Sequence, residues 1–241
     1  MFKNRRVAGR ELGRALQEYG LRDPLVLAIP RGGVEVGFEV AKLLKADFSL
    51  LISRKLPFPD NPKAGFGAIA EDGSSYIHVN MVRRMVRRLP RKAIYRLLRQ
   101  QAEAVRQGVE ILRKGRQLPK MSGRTVILVD DGLAFGSTMK AAVLLCRKKG
   151  AARIIVAVPV SRKGVMDEIK WIADEVIVLE SQANFSSVSQ AYQNSREVTE
   201  DEVLNILHKW VSLKNKEVSH GELQGPVSIG GLETGKAHPS H

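Results

Sequence analysis

The sequence predicts an α/β fold built on a parallel sheet, and three features support this prediction. Apolar runs at residues 25–29 and 126–129 each lead directly into a glycine-bearing turn and then into a helical pattern. Continuous apolar runs of this length are typical of strands buried on both faces. From residue 125 to residue 179, predicted strands and helices alternate, which favours parallel strands joined by right-handed crossovers.

The N-terminal part begins with a predicted amphipathic helix at residues 6–19. The first strand, residues 25–29, meets the sharp turn Pro30-Arg31-Gly32-Gly33, and a helix follows at residues 34–45. Adjacent glycines let the backbone approach a ligand without a Cβ clash, and Arg31 places a cation beside them. The turn is therefore a candidate anion site, although a turn alone needs no ligand.

A third strand is predicted at residues 48–53, and a long segment rich in proline and glycine follows it. The prolines of residues 56–73 argue against a regular element in the first half of that segment. A loop this long inside a compact domain is more often functional than passive. We therefore expect a flexible lid over about residues 55–79, with residues 67–69 and 76–79 as the two arms of a hairpin.

A strongly basic helical region, residues 80–116, follows the lid. Helices are predicted at residues 80–89 and 91–114, separated by Pro90, and the second has an apolar face and an arginine-rich face. Residues 83–116 carry a net charge of +10, most of the +14 of the whole chain. The alternatives are a solvated helix face, contact with nucleic acid, or support of a phosphate site. Only two acidic residues, Glu103 and Glu110, lie in this range. Its twelve basic residues are Arg83, Arg84, Arg87, Arg88, Arg91, Lys92, Arg96, Arg99, Arg106, Arg113, Lys114 and Arg116.

The second strand–turn–helix unit is the most informative part of the chain. Its strand, residues 126–129, runs straight into Asp130 and Asp131, and a small-residue turn then leads into a helix at residues 137–149. Free backbone N–H groups and the positive end of the helix dipole meet at the C-terminal end of such a strand, which makes it a ready anion site. Two carboxylates beside an anion site suit a ligand with both a phosphate and hydroxyls or a metal, such as a phosphorylated ribose.

The C-terminal part continues the alternation with strands at residues 153–160 and 175–179 and a helix at 163–172. The last helix begins at a capping box formed by Thr199 and Glu202. Residues 215–241 lack periodicity and are predicted to be a disordered tail. One domain, residues 1–214 with a core at about 24–180, is therefore expected.

Composition excludes several classes of protein. The hydrophobic fraction of 44% is ordinary for a globular domain, and the single cysteine, Cys146, rules out a disulfide framework. Cys146 lies in an apolar helical stretch, so we expect it to be buried, and a reducing cytoplasm is the predicted location. The N-terminus lacks the apolar core of a secretory signal. The sequence contains no apolar stretch of about 18 residues, so no membrane span is predicted.

Taken in order, these motifs resemble the type I phosphoribosyltransferases, over residues 2 to about 207. The chain is similar in particular to a bacterial and archaeal group of predicted phosphoribosyltransferases. The resemblance implies a central parallel twisted sheet flanked by helices, a flexible lid loop, and a small hood formed by terminal segments. The matching motifs are Phe2-Lys3-Asn4-Arg5, Ile29-Pro30-Arg31-Gly32-Gly33, Arg54-Lys55-Leu56 with Asn61-Pro62 and Gly67-Ala68, the Asp130 segment, Ala173-Asp174-Glu175-Val176 and Glu200-Asp201-Glu202-Val203.

The resemblance also implies a ligand and a set of roles. The ligand is 5-phosphoribosyl 1-diphosphate (PRPP) with Mg²⁺, from which phosphoribose passes to an unidentified nitrogenous small-molecule acceptor with release of diphosphate. Asp130 and Asp131 would hold the ribose hydroxyls and contact the metal only indirectly, through ribose and diphosphate. The other implied residues are Arg31, Gly32 and Gly33 for the diphosphate, Arg54 and Lys55 for catalysis under the lid, and Gly132, Ala134, Phe135, Gly136, Ser137 and Thr138 for the phosphorylated ribose.

The chain departs from the family pattern at three places. Phe135 stands where the family has a threonine whose hydroxyl donates to the 5′-phosphate, and such a bond contributes roughly 1.5–3 kcal/mol, or about 10- to 100-fold in affinity. Ala134 stands where enzymes acting on 6-oxopurines have an aspartate, which argues against hypoxanthine or guanine as the acceptor. Asn194 and Ser195 replace an expected aromatic residue near the acceptor side.

A different class of function remains open beside the enzyme. The same fold serves as a non-catalytic sensor of phosphoribosyl ligands in some regulators, and residues 83–116 would then bind nucleic acid. A homodimer is also left open. The motifs G-x-S-x-G and G-x-x-x-x-G-K-[ST] are absent, so hydrolase and kinase functions have little support.

Overall fold

A computed structural model describes residues 1–59, 61–86, 91–183, 185 and 187–221. The described strands are β1 (Pro24–Ala28), β2 (Asp47–Leu50), β3 (Ser53–Phe58), β4 (Asn61–Ala70), β5 (Ser75–Ile77), β6 (Thr125–Val129), β7 (Arg153–Arg162) and β8 (Glu175–Gln182). The helices are α1 (Arg5–Gln17), α2 (Gly33–Leu44), α3 (Val79–Val86), α4 (Arg91–Arg113), α5 (Ser137–Lys148), α6 (Lys163–Lys170) and α7 (Glu200–Gly221). A short 3₁₀ helix lies at Val188–Ala191.

The central sheet confirms the predicted parallel α/β architecture. Five strands lie in the order β2-β1-β6-β7-β8, and each neighbouring pair is parallel. Alternate residues of one strand enter two different cores: in β6, Val126 and Leu128 pack with α5 and α6, whereas Ile127 and Val129 pack with α2 and α7. Burial on both faces explains why these strands have continuous apolar sequences. Cys146 is fully buried in the first of these cores, as predicted.

The segment after β2 corrects two predictions. The third strand does not run through residues 48–53, because the central strand ends at Leu50 and a second sheet begins at Ser53. Residues 56–73 are not irregular in their first half either. They belong mainly to β3 and β4, which with β5 form a three-stranded antiparallel sheet, called the lid sheet below.

Proline explains why the lid sheet escaped prediction. The pairing of β3 with β4 shifts register on either side of Pro57, and proline is tolerated at such irregular edge positions. The predicted hairpin is present with slightly different bounds, since Gly67 pairs with Ile77 and Ile69 pairs with Ser75. Flexibility of the lid stays a prediction.

The terminal segments confirm one expected helix start and correct the predicted tail. In the capping box of α7 the Glu202 amide donates to Thr199 Oγ1 at 3.2 Å, and the Thr199 amide donates to Glu202 Oε2 at 2.9 Å. The helix continues to Gly221, so residues 215–221 are not disordered. The remainder of the predicted tail lies outside the described residues, as do residues 87–90 between α3 and α4. Among helices in the described ranges, none has the length and apolarity needed to cross a membrane.

A buried ion pair holds the base of the lid sheet to the central sheet. Glu71, just after β4, accepts from the Ile52 amide at 3.0 Å and pairs with the buried guanidinium of Arg113 on α4. Arg113 also donates to the Leu50 carbonyl at 3.0 Å. Burial raises the pKa of the Glu71 carboxyl, although the hydrogen bonds and the charge of Arg113 oppose the shift. The pair therefore connects α4, the end of β4 and the junction between the two sheets.

Replacing Glu71 by alanine should destabilise the protein by about 3–5 kcal/mol, because it leaves the Arg113 charge buried without its partner. The matched control is Glu103→Ala, which removes the exposed pair between Glu103 and Arg106 on α4 and should cost less than about 1 kcal/mol. Urea unfolding of both variants measures the difference. Equal losses in the two variants would contradict a structural role for the buried pair.

Candidate active site

The candidate site lies at the C-terminal edge of the central sheet, where the strand order reverses. The chain passes from β1 outward to β2 and then returns to the other side of β1 to form β6. At this edge Ala28 pairs with Val129, and the Ile29 amide donates to the Val129 carbonyl at 2.9 Å. Ligands of open α/β sheets bind at such switch points. The two turns singled out in the sequence follow these two strands and therefore meet.

The glycines of the first turn pack directly against the two carboxylates of the second. An ideal Cβ on Gly32 would overlap the Asp131 carboxylate, and one on Gly33 would lie 2.8 Å from the Asp130 Cα. Any larger residue would have to displace a predicted ligand-binding group. The structure thus brings together the four predicted residues Gly32, Gly33, Asp130 and Asp131, and the requirement for glycine is close approach.

The two carboxylates have different surroundings. The Asp131 amide donates to Asp130 Oδ1 at 2.8 Å, and Asp131 itself accepts from Arg5 Nε at 2.7 Å. Burial and the neighbouring Asp131 charge raise the pKa of Asp130 well above its ordinary value, while the backbone bond and the Arg5 charge oppose the shift. A cationic ligand group or a bound metal would favour the ionised form.

The turn after Asp131 has the form of an anion cradle. Gly136 has a φ of 69°, in the left-handed region, and α5 begins immediately after it at Ser137. Within the described chain, the backbone amides of residues 134–138 donate no hydrogen bond. First-turn amides and the positive end of the helix dipole favour an anion here. Gly136 cannot take a side chain, because its Cβ would lie 2.6 Å from Val165.

Phe135 is exposed to 59% in the middle of this turn. The ring therefore makes little contact with the core. Thr138 and the buried Ser137 remain the hydroxyl-bearing residues of the cradle, on the first turn of α5. That Thr138 contributes to phosphate binding in place of the threonine expected at position 135 stays a prediction.

The basic residues predicted at the site lie in two places. Arg31 is half-exposed beside the glycines, and its Nη2 lies 3.3 Å from Glu197 Oε2. Arg54 and Lys55 lie on β3 with exposed side chains, paired in register with Ile69 and Ala68. Their place on the lid sheet agrees with residues carried by a lid, and their contact with a diphosphate stays a prediction.

Arg5 and Tyr192 belong to the site, but sequence reasoning gave them no role. Arg5 is buried against Asp131, and its guanidinium lies 5.2 Å from the centre of the Tyr192 ring. The Tyr192 hydroxyl donates to the Asp131 carbonyl at 2.6 Å. Burial and the nearby Asp131 charge raise the pKa of Tyr192, so the phenol stays protonated and can donate. The signal in the sequence was the Phe2-Lys3-Asn4-Arg5 motif, which suggested family membership without indicating a contact.

A second overlooked cluster connects the lid sheet to the cradle. His78 Nε2 lies 3.4 Å from Ser137 Oγ, and the buried Lys140 lies 3.3 Å from the Tyr76 hydroxyl. Lys140 also pairs with Glu168 on α6. Partial burial and the Lys140 charge lower the pKa of His78, which favours a neutral imidazole. No periodic pattern marks these residues, because the contacts join segments far apart in the chain.

The described residues contain no dedicated metal site made only of protein ligands. No cluster of three or more His, Cys, Asp or Glu side chains able to hold a metal occurs in the described ranges. Asp130 and Asp131 provide two adjacent carboxylates, and Mg²⁺ is commonly held by one or two carboxylates together with substrate phosphates and water. The binding of Mg²⁺, with Asp130 and Asp131 in indirect contact through ribose and diphosphate, stays a prediction.

Comparison with known proteins gives consistent results. The family profile described as the phosphoribosyl transferase domain matches residues 5–194. The provisionally named phosphoribosyl transferases MT0597 and Rv0571c, from two Mycobacterium tuberculosis strains, are each 37% identical over 209 residues, which is 87% of this chain and 47% of theirs. The chain thus spans about half the length of these curated relatives.

A solved structure agrees with the fold. The crystal structure of TT1426 from Thermus thermophilus aligns with a TM-score of 0.72 and 35% identity, covering 87% of this chain and 99% of that one. The matched family region includes both turns, the Asp130–Asp131 pair, Arg5 and Tyr192. On this evidence the chain belongs to the type I phosphoribosyltransferase family.

Proposed function

We propose that this protein binds PRPP with Mg²⁺ and transfers its phosphoribosyl group to a nitrogenous small-molecule acceptor, releasing diphosphate. One observation carries the proposal: the glycine turn at Gly32–Gly33 touches the Asp130–Asp131 pair, which leads directly into a turn with unengaged amides. Diphosphate, ribose and phosphate are linked in that order in PRPP. The three features are linked in the same order in the site.

Each part of the ligand has a matching group. The amides of residues 134–138 and the Thr138 hydroxyl would hold the 5′-phosphate at the start of α5. Asp130 and Asp131 would accept hydrogen bonds from the ribose hydroxyls. The amides of the Gly32–Gly33 turn and the cation of Arg31 would hold the diphosphate. When bound, Mg²⁺ would neutralise charge on the leaving diphosphate.

The reaction forms one bond and breaks another at the ribose C1. The acceptor nitrogen bonds to C1 while the C1–O bond to diphosphate breaks, and the electron pair leaves with the diphosphate. The acceptor loses a proton to solvent. The negative charge of the Asp130–Asp131 pair would stabilise the oxocarbenium-like state. Closure of the lid sheet, which carries Lys55, over the leaving diphosphate would exclude water. We propose a place in nucleotide metabolism from this chemistry, and the cytoplasm as the location from the single cysteine, Cys146.

PRPP with Mg²⁺ should raise the melting temperature of the wild-type protein by several degrees, because a ligand at a hundredfold excess over its Kd stabilises the folded state by about 2.7 kcal/mol. Asp130→Asn should remove most of this shift. Asp167→Asn, an exposed site on α6, is the matched control and should retain it. Differential scanning fluorimetry measures all three proteins, and diphosphate release across a panel of nucleobases identifies the acceptor. An unchanged melting temperature at saturating PRPP would refute the proposal.

Replacing Phe135 by threonine should tighten PRPP binding by about 10- to 100-fold, because it restores a hydroxyl that can donate to the charged 5′-phosphate. Phe135→Ala is the control, since it removes the ring without adding a donor. Isothermal titration of the wild type and both variants with PRPP separates the two effects. If alanine improves binding as much as threonine does, the ring obstructs the cradle and the hydroxyl contributes little.

A second function, a nucleic-acid-binding regulator on the same fold, is favoured by one surface. A cavity of about 1290 Å³ runs beside α4, and we call it the α4 groove. Its lining includes the exposed cations Lys92, Arg96 and Arg99, together with the exposed Tyr95. In the described part of the chain no carboxylate pairs with these three cations. Cations beside an exposed aromatic ring suit the backbone and bases of a single strand.

Fluorescence anisotropy with a labelled single-stranded DNA tests the regulator directly. Binding should weaken steeply as the salt concentration rises, and a variant with both Arg96→Gln and Arg99→Gln should reduce the slope by about 0.7 for each phosphate that it no longer neutralises. A variant with Lys163→Gln and Lys170→Gln on α6 removes the same charge elsewhere and serves as the control. The absence of binding at low salt would eliminate this function.

A further inference from the structure

Arg5 is buried beside the two carboxylates and is therefore not simply a solvent-exposed surface charge. Its side chain is 9% exposed, that of Asp131 is 14% exposed, and Arg5 Nε donates to Asp131 Oδ2 at 2.7 Å. The other arginines of the first two turns of α1, Arg6 and Arg10, are about half-exposed and pair at 3.4 and 3.6 Å with glutamates of α2. Arg5 alone among these three reaches the carboxylate pair.

Several contacts fix the guanidinium of Arg5. Its Nη1 donates to the Arg196 carbonyl at 2.7 Å, and the guanidinium lies over the Tyr192 ring. The Tyr192 hydroxyl in turn donates to the Asp131 carbonyl. Asp131 is therefore held at its side chain by Arg5 and at its backbone by Tyr192, and the two holding groups contact each other.

The segment before α1 sets the position of Arg5. The Phe2 amide donates to the Ala191 carbonyl at 2.8 Å, and the Phe2 carbonyl accepts from the Gln193 amide at 2.9 Å. The Phe2 and Tyr192 rings lie 6.0 Å apart. Asn4 Oδ1 caps α1 by accepting from the Val7 amide at 3.0 Å. The side chains of Phe2 and Asn4 thus help to direct the chain so that the guanidinium reaches Asp131.

The contact with Arg5 has a geometric consequence for the ligand. Arg5 Nε donates to Oδ2, which is also the oxygen that faces Gly32. A hydrogen bond to one carboxylate oxygen restricts where that oxygen lies and leaves the acceptor sites of the other oxygen for a ligand. The arginine therefore orients Asp131 and leaves one oxygen available.

We propose that Arg5 is a positioning residue of the phosphoribosyl site, which holds Oδ2 of Asp131 so that Oδ1 faces the ribose hydroxyls. The N-terminal segment, residues 2–5, is thereby part of the site. This inference depends on the proposed binding of PRPP. Arg5 Nε also lies beside Gly32 of the diphosphate turn. Because Nε and Nη1 are engaged by Asp131 and by the Arg196 carbonyl, the inference assigns Arg5 to the ribose and not to the diphosphate.

The test uses the full chain and compares three ligands, each with Mg²⁺: PRPP, ribose 5-phosphate and inorganic diphosphate. Arg5→Gln should weaken the binding of PRPP and of ribose 5-phosphate by about 10- to 100-fold, by analogy with the loss seen when a residue that orients a metal ligand is removed. Its affinity for diphosphate should stay close to that of the wild type. Arg5→Lys should recover part of the lost affinity, because it restores the charge at Asp131.

Arg10→Gln is the matched control, since it removes an arginine from the same helix without touching Asp131. It should bind all three ligands as the wild type does. The positioning role is overturned if Arg5→Gln binds PRPP normally, or if it loses affinity for diphosphate and for ribose 5-phosphate equally. In either case the proposed binding of PRPP stands. If the wild type binds none of the three ligands, the proposed function and this inference both fail.

If Arg5→Gln does not fold, Arg5→Lys decides the question. Lysine keeps the charge but cannot reproduce the fork by which Arg5 contacts both Asp131 and the Arg196 carbonyl. Loss of affinity for PRPP and ribose 5-phosphate with retained diphosphate binding supports the inference. Unchanged affinity for all three ligands in this variant overturns it.

Discussion

The contact between two turns, one with adjacent glycines and one with two carboxylates, is the constraint on which the rest of the structure depends. Gly32 and Gly33 can approach Asp130 and Asp131 only because β1 and β6 are neighbours in a parallel sheet. Parallel strands direct their C-terminal ends to the same edge, so the turns that follow them meet there. A side chain on either glycine would separate the groups that the proposed ligand must bridge.

Two adjacent carboxylates in a partly buried site create an electrostatic cost that the surrounding chain must offset. The raised pKa of Asp130 shows that the ionised form of this member of the pair is disfavoured. Arg5 offsets part of this cost, and the contacts of Phe2 and Tyr192 keep Arg5 in place. The contacts between the N-terminal segment and residues 191–196 therefore have an electrostatic function, and a hood formed by these terminal segments stays a prediction. These contacts join residues 2–5 to residues 191–196 beside the carboxylates.

The lid sheet shows where sequence reasoning was wrong and why. Prolines in residues 56–63 suggested an irregular loop, yet β3 and β4 pair across that region with shifts in register around Pro57. Antiparallel pairing depends on a partner strand, and a partner can stabilise a segment whose own residues disfavour a strand. The base of the lid sheet packs against α5 through Ala68, Ala70 and Tyr76. The element expected to move therefore contacts the helix that begins at the anion cradle.

The sequence by itself determined the parallel α/β architecture, the two turns and the Asp130–Asp131 pair, because these depend on hydrophobic pattern, glycine and helix ends within a short stretch of chain. The capping box at Thr199 belongs to the same group. Only the tertiary structure decided the contacts of Arg5 with Asp131 and of His78 with Ser137. Such contacts join residues far apart in the chain and leave no periodic pattern, so they exist only once the sheet has brought its distant segments to one edge.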